Sequence, residues 1–471
     1  GVDLTSSFFR YEDGGTKIAA YWDQEDQEGK KPAGYSFGRE WDREEIDRAL
    51  EEEPRILPRD ENGHGTFLAA VAAGREDEEA GFSGAAPDSE LVVVKLKRPK
   101  QYLLDFYSIR DDVWACQEDD VMLAIRYVLD TATALQRPVS ICLGIGTNLG
   151  GHGGNGSLER YISQISLLPG ISVHIASGNE GISGHHFRGN VPQDQEFETV
   201  EFNVADGENG FIMELWGDAP VNFSVGLISP GGENVERIQL KRNEFRNIRF
   251  FPENTVLQIR SFAGETVGGE QVIRMNFRSP SAGLWRLQVY ARGTGNRTFN
   301  LWMPITNFLR EETFFVSPEA SDTLTSPGDA FYGITYVPYE VNTESLYVRA
   351  SQGYTRDGRV KPDLAAPGVN VHIPAPTAVR RPEQDGAQES GGSRREVSRS
   401  GSSVAAAFGA GIGALMQEWA IVKENDLSLN GQNMRFYLIQ GAVRSGAYEY
   451  PNREWGYGIV NLYDAFLSMR R

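Results

Sequence analysis

Cysteine is scarce in this sequence, since only Cys116 and Cys142 occur among 471 residues. Both stand in apolar surroundings, in the segments DDVWACQ and VSICLGI, which favours two buried free thiols over a disulfide. A fold held together by a disulfide framework is therefore excluded. Continuous apolar runs are also short of the roughly 20 residues that a membrane-spanning helix needs, so no membrane span is expected.

Basic residues are outnumbered, because 46 Lys and Arg face 65 Asp and Glu, which gives a net charge of −19. This balance repels the phosphates of nucleic acids and anionic membrane surfaces, so neither is an expected partner. Hydrophobic residues make up 40% of the chain and 52 residues are glycine, which indicates a globular protein rich in turns rather than a disordered one.

The chain is longer than the ~250–300 residues at which one hydrophobic core stops growing, so two domains or one domain with an insertion are expected. Apolar strand-like runs alternate with helical segments in its first part and again near its end. The strand-like runs cover residues 91–97, 139–146 and 171–177, and the helical segments cover 119–136 and 157–167. This alternation predicts an α/β fold, a parallel sheet with helices on both faces.

The pattern changes between residues 192 and 315 to short alternating strands such as FETVEFNV and LWRLQVYA, separated by Gly, Pro and Asn turns. These strands predict an inserted all-β sandwich or jelly-roll. The α/β domain would then consist of residues 1–191 and 316–471. A later segment, 374–399, is rich in Pro, Gly, Arg and Glu and predicts a mobile surface loop.

Two segments place reactive residue types at the start of helices. His64 lies between glycines in NGHGT and opens an apolar helix, where a catalytic imidazole would have an open backbone around it. Ser403, in SGSSVAAAFGAG, lies on a first helical turn, where its backbone N–H can face an incoming carbonyl. On this segment alone, Ser402 and Ser403 could equally serve as helix caps.

A third segment, SGNEG, places Asn179 directly after the apolar run 171–177. An amide donor flanked by glycines at the end of a buried strand suits an oxyanion hole. An ordinary turn residue is the alternative interpretation of this asparagine.

In this order, the three segments resemble the subtilisin-type serine proteases. Further similar stretches are GAAPDSELVVVKLK after the histidine helix, GRVKPDLAAPGVNV at 358–371 and WGYGIVNLYDAF at 455–466. The segment KQYLLDFYSIRDD and the inserted jelly-roll are similar to the clostridial Csp-like branch of that family. The resemblance covers nearly all of the chain except the β insertion.

The resemblance implies a serine endopeptidase that acts on proteins or peptides through an acyl-enzyme. Ser403 would be the nucleophile, His64 the general base, and Asn179 the oxyanion donor. The segment containing Gly144 and Gly146 would pair with extended substrate as an added strand. The alternative is a catalytically impaired pseudoprotease or binding scaffold that keeps the same fold.

The position of the catalytic aspartate is the point at which the sequence departs from the family. Gly1-Val2-Asp3-Leu4 matches the family pattern from its glycine onward, which predicts that the aspartate lies two residues before Gly1. Asp23, after the apolar run in KIAAYWDQED, is the fallback, and Asp3 ranks third.

No cofactor is predicted. The family often binds calcium through loop carboxylates and carbonyls, but no loop in this sequence shows regular calcium-ligand spacing. His185 and His186 suggest a zinc site, although a solvated pair of loop residues is the preferred interpretation. The oligomeric state is not predicted.

Overall fold

The computed structural model describes residues 1–239, 244–263, 269–375 and 396–469. Its α/β part is built from two stretches of chain. The first stretch contains β1 (Ile18–Asp23), β2 (Arg39–Asp42), α1 (Arg43–Glu52), α2 (His64–Ala73), β3 (Leu91–Lys95), α3 (Gln101–Tyr107), α4 (Glu118–Leu135), β4 (Val139–Leu143), α5 (Ser157–Ile165) and β5 (Ile171–Ala176). The second contains β17 (Ile334–Glu340), β18 (Ser345–Leu346), β19 (Leu364–Pro367), β20 (Val371–Pro374), β21 (Glu396–Arg399), α6 (Ser402–Gln417), α7 (Gly431–Gln440) and α8 (Leu462–Met469).

The strands of the α/β part form two main sheets. One has the order β2-β1-β3, and the other has the order β18-β17-β5-β4 with β19 beside β17. The pairs β1–β3, β4–β5, β5–β17 and β17–β19 are parallel, so the predicted α/β class with parallel strands is confirmed. β3 and β4 are edge strands of their sheets, and α4 packs against both of them.

Helix α6 packs against β4, β5 and β17 and passes through the interior of the α/β part. A Cβ at Gly409 would overlap the ring of Tyr336 on β17, so glycine is needed for this close approach. The stretch Ser402–Val422 is long and apolar enough to cross a membrane by length and composition, but 67% of its window is buried inside the protein. It therefore has the surroundings of a core helix.

The remaining strands form two antiparallel sheets, called the β-sandwich below. They are β6 (His186–Asn190), β7 (Phe197–Val204), β8 (Gly210–Gly217), β9 (Asn222–Ile228), β10 (Asn234–Ile238), β11 (Phe245–Phe250), β12 (Thr255–Ala263), β13 (Gln271–Arg278), β14 (Gly283–Arg292), β15 (Thr298–Trp302) and β16 (Phe314–Phe315). The sheet orders are β10-β9-β14-β7-β16 and β11-β12-β13-β8-β15-β6. Phe202 and Trp285 from the first sheet pack against Phe277 from the second, with ring centroids 5.7 and 5.8 Å apart.

Two local predictions need correction. His185 and His186 are not solvated, because their exposed fractions are only 4% and 1%. His186 begins β6 and stacks on Trp302 at 4.9 Å, so the start of the β-sandwich buries the pair. The ends of the predicted loop 374–399 are also ordered, since β20 pairs with β21, whereas residues 376–395 lie outside the described part of the chain.

Both cysteines are free and half-buried. Burial raises the pKa of each thiol to about 12, so neither is a reactive thiolate at neutral pH.

A buried ion-pair cluster behind β17 yields a stability prediction. Asp363 is fully buried and accepts hydrogen bonds from Lys361 Nζ at 2.6 Å and Arg435 Nε at 2.6 Å. Asp363→Asn should lower the free energy of unfolding by about 3–5 kcal/mol, because two cations lose their buried counter-charge. Urea unfolding measures the change. Glu418→Gln, which breaks an exposed pair with Lys423, is the matched control and should cost under about 1 kcal/mol.

Candidate active site

His64 and Ser403 meet at the starts of two helices. His64 is the first residue of α2, and Ser403 lies in the first turn of α6. His64 Nε2 lies 3.0 Å from Ser403 Oγ, although 339 positions separate the two residues in the chain. An imidazole in hydrogen-bond contact with a hydroxyl can remove its proton as a nucleophilic attack proceeds.

Asp60 fixes the start of α2. One carboxylate oxygen accepts a hydrogen bond from Gly63 N at 2.9 Å, and the other accepts from Thr66 N and Thr66 Oγ1, both at 2.8 Å. By accepting from these groups, the carboxylate satisfies N–H donors that the start of a helix leaves unpaired. Sequence analysis missed this residue, which lies in the loop before α2, three positions before the N-cap residue Gly63.

Asn179 lies beside the start of α6. Its Oδ1 accepts a hydrogen bond from Ser402 N at 3.0 Å, and Gly178 N donates to Ser402 Oγ at 3.0 Å. A Cβ at Gly401 would lie 3.4 Å from Asn179 Nδ2 and 3.8 Å from Ser403 Oγ. A side chain at Gly401 would therefore occupy space between the Asn179 amide and the Ser403 hydroxyl.

The segment of Gly144 and Gly146 continues from the end of β4 and is half-buried. A Cβ at Gly144 would lie 3.0 Å from Ser403 Cβ and 3.7 Å from His64 Cε1. The segment thus borders the His64–Ser403 pair, where an extended peptide could reach both residues.

The two aspartate candidates within the chain have hydrogen-bond partners other than His64. Asp23 Oδ1 accepts hydrogen bonds from Glu25 N at 2.9 Å and Asp26 N at 3.3 Å, while Asp23 Oδ2 lies 3.3 Å from Lys95 Nζ. The fallback assignment of Asp23 therefore needs correction, because the turn after β1 and Lys95 hold its carboxylate. Asp3 accepts hydrogen bonds from Thr5. Across the described ranges, no carboxylate hydrogen-bonds to His64.

Arg399 is a charged neighbour of His64 that sequence analysis did not single out. It ends β21, and its Nη2 donates to Asn62 O at 2.7 Å. Burial, and then the positive charge of Arg399, hold the pKa of His64 below its usual value, while Asp60 acts in the opposite direction. A neutral imidazole is thus favoured, as a general base requires.

The described residues offer no cluster of metal ligands. Within the described part of the chain, no group of three or more His, Cys, Asp or Glu side chains could hold a metal ion. His185 instead donates from Nδ1 to the carboxylate of Glu180, at 2.8 Å.

The parallel sheets, the helix starts and the SGNEG loop define a subtilisin-like fold. The subtilase family model matches residues 22–204 and 258–458, and the chain belongs to this family. The solved structure of the Clostridium perfringens CspB protease is similar over 100% of this chain and 92% of that chain, with a TM-score of 0.84 and 28% identity. The predicted resemblance to subtilisin-type proteases and their Csp-like branch is confirmed.

A subtilisin from Bacillus sp. (strain TA39) is 30% identical over 122 residues, which cover 26% of this chain. The match spans a quarter, 25%, of that subtilisin's length.

Arg399→Gln tests the electrostatics at His64. Removing the positive charge should raise the pKa of His64, so that the ring becomes protonated at higher pH than in the wild-type protein. An NMR titration of the His64 ring measures this directly and does not depend on turnover. Arg126→Gln, which removes an exposed arginine paired with Asp130, is the control and should leave the His64 titration unchanged. An unchanged His64 pKa in Arg399→Gln would contradict the assigned cause.

Proposed function

We propose that this chain is a serine endopeptidase that hydrolyses peptide bonds through an acyl-enzyme. The 3.0 Å contact between His64 Nε2 and Ser403 Oγ is the observation that carries the proposal. Its similarity to the CspB protease along its whole length supports the same class of reaction.

In the proposed first step, Ser403 Oγ attacks the carbonyl carbon while His64 Nε2 takes the hydroxyl proton. Asn179 Nδ2 and the Ser403 N–H stabilise the oxyanion. His64 then donates its proton to the leaving amine, and the acyl group stays on Ser403. In the second step, water attacks the ester with His64 again as base, which releases the acid and restores the serine.

The proposed substrates are proteins or peptides in an extended conformation. The half-buried backbone around Gly144 and Gly146 lies beside the reacting pair and can hydrogen-bond to such a chain as an added strand. A separate role as a non-catalytic scaffold would require binding without cleavage.

Hydrolysis of a quenched fluorescent peptide library tests the proposal. Ser403→Ala and His64→Ala should each abolish most turnover, because each removes a reacting group. Asn179→Ala should lower kcat by about 10²–10³-fold, the loss typical of one oxyanion donor. Binding of the peptides with no turnover that depends on Ser403 would instead support the scaffold.

We further propose that the carboxylate partner of His64 comes from two residues before Gly1. Gly1 lies against α2, because a Cβ at Gly65 would overlap the Gly1 carbonyl oxygen, and a Cβ at Gly1 would lie 3.4 Å from the Lys95 side chain at the end of β3. A preceding extended residue adds about 3.3 Å of reach. A segment leading into Gly1 would therefore pass beside His64, near the unpaired edge of β3.

A pair of short extensions tests this placement. Protein carrying Asp-Ser before Gly1 restores the family pattern, and protein carrying Asn-Ser is its matched control. The Asp extension should give the higher kcat, by up to about 10⁴-fold, which is the scale of the aspartate's effect in known triads, including that of subtilisin. Equal rates for the two extensions would contradict the placement.

A further inference from the structure

Glu180 directly follows Asn179 and has only 7% of its surface exposed. Its carboxylate accepts hydrogen bonds from three separate parts of the chain. The donors are Ser183 Oγ at 2.8 Å, His185 Nδ1 at 2.8 Å, Thr306 N at 3.1 Å, Thr306 Oγ1 at 3.1 Å and Asn148 Nδ2 at 3.5 Å. A buried carboxylate is stable when several donors satisfy it, so this cluster fixes the side chain firmly.

Two of the donor residues lie next to strands of the β-sandwich. His185 immediately precedes β6, and Thr306 begins a single 3₁₀ turn after β15. A third donor, Asn148, continues the segment of Gly144 and Gly146 that borders Ser403. The carboxylate of Glu180 therefore joins the β-sandwich, the loop of Asn179 and the proposed substrate segment.

The charge state of Glu180 agrees with this set of donors. Burial by itself raises the pKa of the Glu180 carboxyl, but the hydrogen bond and charge of His185, with the other donors, hold the pKa below its usual value. Glu180 is therefore ionised at neutral pH and can accept every one of these hydrogen bonds.

The loop of Asn179 is also held by other hydrogen bonds. Ser351 N donates to Gly178 O at 3.1 Å, Gly181 N donates to Arg349 O at 3.1 Å, and Ser402 N donates to Asn179 Oδ1 at 3.0 Å. Glu180 N donates to Ser351 Oγ at 3.0 Å, and Gly178 N donates to Ser402 Oγ at 3.0 Å. Asn179, between them, must present Nδ2 to the space next to Ser403 Oγ. The contacts of the Glu180 side chain with His185 and Thr306 connect this loop to the β-sandwich, so their loss would weaken that connection.

We propose that Glu180 is a positioning residue through which the β-sandwich holds Asn179 in place for catalysis. This inference rests on the proposed function, because it assigns Asn179 to the oxyanion. Because the Glu180 carboxylate is buried and engaged by His185 and Thr306, we expect its effect on the transition state to exceed its effect on substrate binding. A shift of the β-sandwich would change the rate of the chemical step by moving Asn179.

Glu180→Gln tests the inference with a side chain of nearly the same shape. All five donors lie within 3.5 Å of Oε2, and Thr306 N also lies 3.1 Å from Oε1. The amide removes the negative charge that these donors share, and with its oxygen at the Oε2 position its NH₂ group would face Thr306 N. We expect kcat to fall about 10–100-fold with KM changed less than about twofold, since a small displacement of a catalytic donor has effects of this size.

Glu208→Gln is the matched control. Glu208 has 5% exposure and accepts hydrogen bonds from Arg310 N at 2.9 Å and Thr313 Oγ1 at 3.1 Å, within the β-sandwich region and away from Asn179. It should lower thermal stability as Glu180→Gln does but leave kcat unchanged. Equal losses of kcat in the two variants would overturn the positioning role.

Thr306→Val is a milder second variant, because it removes one hydroxyl donor and keeps the backbone N–H. It should lower kcat several-fold with little change in KM, and an unchanged kcat in both Thr306→Val and Glu180→Gln would overturn the inference.

Hydrogen exchange separates this inference from the proposed function. In the Ser403→Ala background, Glu180→Gln should increase amide exchange at Gly178 and Glu180, whereas Glu208→Gln should not. If the wild-type protein hydrolyses no peptide, the proposed function fails, and the exchange result still decides whether Glu180 holds the loop. Unchanged exchange in Glu180→Gln would overturn that role.

Discussion

The contact between α2 and α6 is the constraint on which the site depends. A Cβ at Gly411 would lie 2.5 Å from Ala85 Cβ and 2.7 Å from Ala72 O, at the end of α2, so only glycine permits this approach. The contact brings the two helix starts side by side and places His64 next to Ser403. Because both helices are buried against the sheets, the reacting atoms depend on tight packing more than on local loop structure.

The β-sandwich is attached to this framework near Asn179. His152, from the segment after β4, stacks on Trp302 of β15 at 4.1 Å, and Glu180 accepts hydrogen bonds from both His185 and Thr306. These buried polar and aromatic contacts connect the insertion to the side of the site where Asn179 lies. The insertion therefore shares buried contacts with the loop of Asn179, through which we propose that it supports catalysis.

Much of the fold and part of the site could be predicted from the sequence because their signals are local. Apolar runs predicted β3, β4 and β5. The family was identified from the glycine-flanked segments around His64, Asn179 and Ser403. The burial of His186, the engagement of Asp23 with Lys95 and the approach of Arg399 to His64 depend on contacts between distant segments. Residue type and spacing carry no signal for such contacts, so they emerged only from the three-dimensional arrangement.

The most direct test of the central claim is covalent labelling by a fluorophosphonate, followed by mass spectrometry of the modified peptide. The account predicts one adduct on Ser403 that is lost in Ser403→Ala and forms much more slowly in His64→Ala. The adduct should persist in Ser400→Ala, which removes a hydroxyl that accepts a hydrogen bond from Asn370 N. An adduct at another serine, or a labelling rate that does not depend on His64, would contradict it.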